Sequence, residues 1–183
     1  MSTKPALRPD DLLDLPPLPD GQHYELSEGE LIVVGSAGYR HEVVKSEILA
    51  LLIIFARQAG IGRVFSESMF RISEETCRQP DVAFVRQERY REVPVTDKTI
   101  PYAPDLAVEV LSASESVSEA EAKVQQYLAG GVREVWQVHC DLRIVLIRKQ
   151  GSIRELHSKD VLESDLLPGF RANVSDLFAP ELE

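Results

Sequence analysis

Leu106-Ala107-Val108-Glu109-Val110-Leu111 is an apolar run interrupted by a single acid, and Asp81-Val82-Ala83-Phe84-Val85, directly after Pro80, is a second run that opens on one. Pro80, Pro101 and Pro104 bound the two stretches. Short continuous runs of this kind suit central strands covered on both faces, whereas a half-exposed strand alternates. The fold they call for has a buried sheet at its centre with helices laid on it.

On the N-terminal side, residues 41–59 carry Val44, Ile48, Leu51, Leu52 and Phe55 at three- and four-residue steps, which puts them on one helical face. That face is wide enough to pack firmly on a sheet, and Gly60 and Gly62 release the chain after it. Tyr24 to Val34 reads as a hairpin turning at Ser27-Glu28-Gly29. Residues 63–72 read as one further strand.

On the C-terminal side, residues 118–129 read as a helix with Ala120, Val124, Tyr127 and Leu128 along one side, stopped by Gly130-Gly131. Strands at 133–139 and 142–148 form a second hairpin around Cys140-Asp141; residues 152–157 add a strand and 174–178 a short helix. The order is hairpin, helix, strands, helix, strands, an α/β (α+β) domain with a mixed sheet. Before it, residues 1–22 divide off as a short N-terminal helix, capped near Pro9-Asp10-Asp11, and a Pro-rich connector from Pro16 to Gly21. Residues 23–183 make a single domain.

The 183 residues suffice for one well-buried core, and 44% hydrophobic with 27% charged is the balance of a globular chain, not a disordered one. The longest apolar stretch, from Ile48 to Ala56, is too short to cross a bilayer, and no signal-peptide pattern opens the chain. We expect a cytoplasmic protein with no membrane association. The two cysteines and four histidines are scattered, which argues against a Cys/His zinc site. A net charge of -10 argues against a broad non-specific DNA surface, although arginines at 57, 63, 71, 78, 86, 89 and 91 allow a local basic face.

Asp81 and Glu109 carry the chemistry. An ionised carboxylate among apolar neighbours needs a cation, strong hydrogen bonds or solvent. Two of them on neighbouring strands attract a divalent metal, for which Mg²⁺ offers a preference for oxygen ligands and retained waters. An arginine at a strand end explains either acid singly; together with a lysine, they favour function. Lys123, about a turn into the helix after the Glu109 strand, supplies that lysine, and could orient a water or offset developing negative charge. Its alternative role is a surface pair with Glu119, four residues earlier.

The segments YELSEGELIVV, GYRHEVVKSEILALL, RQPDVAFV, PDLAVEVLSASES and KVQQYLAGGVREVWQV resemble the Uma-two family of the PD-(D/E)XK nuclease superfamily, from about Tyr24 to Phe178. The resemblance implies a restriction-endonuclease-like core. It implies Asp81 and Glu109 as metal ligands with the backbone carbonyl of Val110, Mg²⁺ or Mn²⁺ as cofactor, DNA as substrate, and a homodimer by analogy. The lysine such sites place two residues beyond the glutamate is Leu111 here, and the family position that matches is Lys123. His41 and Glu30 match further family positions as supporting candidates, with helix capping and an exposed hairpin acid as their plain alternatives. Ala113, Glu119 and His139 depart from the family's usual proline, aspartate and aspartate. These departures and the charge of -10 keep open a nuclease-like domain that binds a protein partner without cutting, and the sequence does not separate a nuclease from an acidic metal site acting on a small molecule. No glycine-flanked nucleophile and no phosphate-cradling loop is present.

Overall fold

The computed structural model describes residues 6–19, 21–92, 99–111 and 115–178. Its strands and helices are β1 (His23–Ser27), β2 (Glu30–Val34), α1 (Tyr39–Ala59), β3 (Gly62–Ser66), β4 (Phe70–Arg71), β5 (Cys77–Arg78), β6 (Val82–Arg86), α2 (Gln87–Glu92), β7 (Leu106–Leu111), α3 (Val117–Ala129), β8 (Glu134–His139), β9 (Ile144–Lys149), β10 (Ser152–Leu156), β11 (Val161–Leu162) and β12 (Ala172–Asn173). A mixed six-stranded sheet of order β10-β9-β8-β7-β6-β3 forms the centre. β7 and β8 run parallel, so the chain must cross over between them, and α3 is that crossover. The other neighbours in this sheet are antiparallel.

Every residue of β7 is buried, as the unbroken apolar run requires. Its alternate side chains enter two cores. Leu106, Val108 and Val110 meet Val44, Ile48 and Leu52 of α1, with Trp136 and the C-terminal residues Leu167, Phe170 and Phe178. Ala107 points the other way, among Ala83, Val135 and the α3 residues Val124 and Tyr127. The fold class is thus mixed α/β, with α1 and α3 on opposite faces.

β1 and β2 form the expected hairpin, and Glu28 (φ 51°) with Gly29 (φ 81°) makes a two-residue turn of the kind that favours glycine. The hairpin belongs to a smaller four-stranded sheet of order β2-β1-β5-β4, and a 3-10 helix at Pro9–Asp14 sets Leu12 against Leu26 and Cys77 beneath it. The single strand expected over residues 63–72 is two strands in two sheets. Glu67, at φ 46°, breaks the run between β3 and β4, so the backbone leaves the central sheet there. The C-terminal helical turn, Val174–Leu177, is 3-10 rather than α. No helix among the described residues is long and apolar enough to cross a membrane.

Candidate metal centre

β7 is longer than its partner: pairing with β6 covers only Leu106, Ala107 and Val108, opposite Phe84, Ala83 and Val82. Beyond that register the β6-facing edge of β7 is free, and Asp81, the residue before β6, fills it. Its Oδ2 accepts a hydrogen bond from the Val110 amide at 2.7 Å. In a strand the N–H and C=O of one residue face the same edge, so the Val110 carbonyl lies on Asp81's side. His41 Nε2, from the first turn of α1, stands 3.1 Å from Asp81 Oδ1.

Glu109 faces α3. Tyr127 donates its hydroxyl to Oε1 at 2.6 Å, and Lys123 donates to Oε2 at 3.2 Å. The two donors are four residues apart on one helix, so both meet the same carboxylate from one face. Lys123 also lies 3.7 Å from Glu115 and 3.9 Å from Glu25, and only 15% of its side chain is exposed. Glu119 is engaged elsewhere, accepting from the amide and hydroxyl of Ser116 in the capping box of α3.

The electrostatics follow from this crowding. Burial, with the charges of Asp81 and Glu25, raises the Glu109 carboxyl to about 7 against the pull of Lys123 and the Tyr127 hydrogen bond. Burial likewise opposes the charge on Lys123, but Glu109, Glu25 and Glu115 outweigh it and hold the ammonium above the usual lysine range. For His41 too, burial is outweighed by the hydrogen bond and charge of Asp81, and its pKa rises. The charge of Asp81 thus disfavours that of Glu109 in a site of hard oxygen donors. That is the donor chemistry a divalent ion such as Mg²⁺ satisfies, with waters completing its coordination. Among the described residues no three His, Cys, Asp or Glu side chains form a ready-made metal cluster. The groups that could hold such an ion here are the carboxylates of Asp81 and Glu109 and the Val110 carbonyl.

One cavity of about 680 Å³ gathers Asp81, Glu109, Val110, Lys123 and His41. Glu30 is not among its lining residues: it is exposed at the start of edge strand β2, pointing to the hairpin acid as its plain reading. The acid that the hairpin does send into the cavity is Glu25, 1% exposed, which sequence reasoning missed along with Glu115 and Tyr127. Glu25 left a faint trace, an acid between Tyr24 and Leu26 in a strand. Tyr127 was read only as part of the apolar face of α3. Of the positions that depart from the family pattern, Ala113 lies outside the described residues, Glu119 caps α3, and His139 ends β8.

The family model described as "Uma2: Putative restriction endonuclease" matches residues 9–175. The chain belongs to this family. The matched span of this Uma2 chain holds all the strands and α-helices described, and with them the whole cavity. Among solved structures, it is similar to one from Anabaena variabilis ATCC 29413, described as "a putative nuclease belonging to DUF820". The TM-score is 0.82 at 19% identity, with 94% of this chain and 97% of that chain covered. A likeness at that identity shows the fold alone, and here the Uma2 chain shares it nearly end to end. No curated protein matches the chain.

Proposed function

We propose that this Uma2 chain is a divalent-metal-dependent endonuclease that hydrolyses DNA phosphodiester bonds. The observation that carries the reading is convergence. Asp81 precedes β6, Glu109 lies in β7 and Lys123 lies in α3, yet Asp81 binds the amide next to Glu109 at 2.7 Å and Lys123 reaches Glu109 at 3.2 Å. Asp81, Glu109 and the Val110 carbonyl would hold Mg²⁺ or Mn²⁺. When bound, such an ion polarises the phosphoryl oxygen and lowers the pKa of an attacking water. Asp81 is oriented by His41 and the Val110 amide, Glu109 by Tyr127. The Lys123 ammonium, kept charged by its three carboxylates, offsets negative charge gathering on the scissile phosphate.

The test is cleavage of single-stranded, double-stranded and supercoiled DNA by the purified protein with Mg²⁺ or Mn²⁺. Asp81→Ala and Glu109→Ala should abolish it, and Lys123→Met should slow it by about 10²- to 10³-fold. Activity that survives loss of either acid would place the chemistry elsewhere. The family analogy extends to a homodimer, which sedimentation of the purified protein decides. A cytoplasmic setting accords with the two free thiols, Cys77 and Cys140. A second reading, a nuclease-like domain that binds a partner without cutting, is favoured by the exposed Leu31, Ile32 and Val33 of edge strand β2. Intact DNA together with no binding of Mn²⁺ by calorimetry would select it.

A further inference from the structure

Glu25 is not among the groups that would hold the ion, yet both of its oxygens are fixed. Oε1 accepts from the Gln79 amide at 2.8 Å and Oε2 from Arg78 Nη1 at 2.7 Å. The rest of the Arg78 guanidinium clasps Gln126 of α3, with Nε at 3.0 Å and Nη2 at 2.6 Å from its Oε1. Gln126 and Lys123 are three residues apart and so share a helix face. Glu25 is therefore locked to the same side of α3 that carries Lys123, with Oε2 3.9 Å from the ammonium.

Lys123 donates to Glu109 at 3.2 Å. A cation on Asp81 and Glu109 would compete for that carboxylate and repel the ammonium. Lysine has a flexible four-carbon stem and would swing away unless another group held it. Two carboxylates remain for the purpose. Glu115 is slightly nearer, at 3.7 Å against 3.9 Å, but 20% of its side chain is exposed, whereas Glu25 has 1% and is fixed by Arg78 and the Gln79 amide. Glu25 also keeps its own charge. Burial opposes ionisation, but His23 with its Nε2 3.9 Å away, the charges of Lys123 and Arg78, and the Gln79 amide bring its pKa down to about 2.

We propose that Glu25 is a positioning residue that holds the Lys123 ammonium in the cavity when Glu109 is engaged by a divalent cation. The proposal rests on the nuclease reading and deepens it, and its test separates the two. In the full chain with saturating Mg²⁺, the lysine ammonium region of a ¹H–¹⁵N correlation spectrum should show a slowly exchanging Lys123 signal, assigned by its loss in Lys123→Met. Glu25→Gln should speed that exchange by about tenfold or more with Mg²⁺ present, and much less without it, where Glu109 still holds the amine. Calorimetric affinity for Mg²⁺ should stay within about twofold while single-turnover cleavage falls by about 10- to 100-fold.

A Lys123 signal that Glu25→Gln leaves unchanged in the presence of Mg²⁺ overturns the positioning role, whatever happens to cleavage. A wild-type protein that cuts no DNA while its Lys123 signal still depends on Glu25 sinks the nuclease reading and leaves the positioning role standing. If Glu25→Gln does not fold because Arg78 loses its counter-charge, Glu25→Asp keeps the charge but draws it back from Lys123. The same Mg²⁺-dependent gain in exchange is then expected, and its absence refutes the proposal.

Discussion

Asp105 and Glu25 are each 1% exposed, more deeply buried than Glu109 at 5%, and both sit against arginines: Asp105 takes Arg86 at 2.9 Å and Arg89 at 3.3 Å, Glu25 takes Arg78 at 2.7 Å. Burial alone therefore does not mark a working acid. What separates Glu109 is its company, a lysine and a tyrosine on one side and further carboxylates around it, whereas Asp105 and Glu25 face arginines. Glu25 has its own signature in acid. Glu25 is held to about 2 in the folded protein, below the ordinary 4.5 it regains on unfolding. Its contribution to stability is fully present above 4.5 and is lost as pH falls toward 2, because the unfolded chain takes up the proton first. Urea unfolding of wild type and Glu25→Gln across pH 2 to 6 should show a shallower acid limb in the variant. The slope is the readout, since Arg78 without its partner lowers the variant's stability at every pH. Equal slopes would mean that Glu25 is not ionised by its neighbours.

Among the elements, α3 bears most of the arrangement, because one helix face presents Lys123, Gln126 and Tyr127. Its start is set by Ser116, which accepts the Glu119 amide while the Glu119 carboxylate returns to Ser116. Ser116→Ala removes that cap and should cost about 1 kcal/mol in chemical denaturation. No change in stability would show that the first turn is held by packing instead. The sequence made α3 legible through its apolar spacing and Gly130-Gly131, and made β6 and β7 legible through unbroken apolar runs, because those signals are local. β4 and β5 are two residues each and leave no periodicity to read. The break at Glu67 was hidden as well, since a glutamate in a left-handed conformation carries none of the marking a glycine would. Asp81 and Glu109 stood out as acids in apolar strands. Lys123 was equally readable as a partner for Glu119, and only the fold turns it inward. Glu25 could not be singled out, because its burial depends on Arg78 and Gln79, more than fifty residues away in the chain.

At the scale of the whole molecule, a net charge of -10 and a cavity lined by Glu25, Glu42, Glu67, Asp81, Glu109 and Glu115 make an unusual host for a polyanion. Lys45 does little to offset it, since its amine lies 2.7 Å from both Glu42 and Glu67. A divalent ion lowers the local negative potential at the point where phosphate must approach, so cation binding should precede DNA binding. The same ion should stabilise the fold, because the unfolded chain scatters its ligands. At a concentration one hundred times its dissociation constant, a ligand specific to the native state adds about 2.7 kcal/mol. For a domain of this size that is a rise of roughly 5–11 °C in Tm. Simple screening also stabilises a molecule with this charge, so thermal unfolding in MgCl₂ or MnCl₂ should be compared with NaCl at matched ionic strength. The rise beyond NaCl should vanish in Asp81→Ala and persist in Glu30→Ala, whose side chain is outside the cavity. A rise that Asp81→Ala retains, or none in wild type, would mean that these carboxylates hold no ion and that their crowding is answered by Lys123 alone.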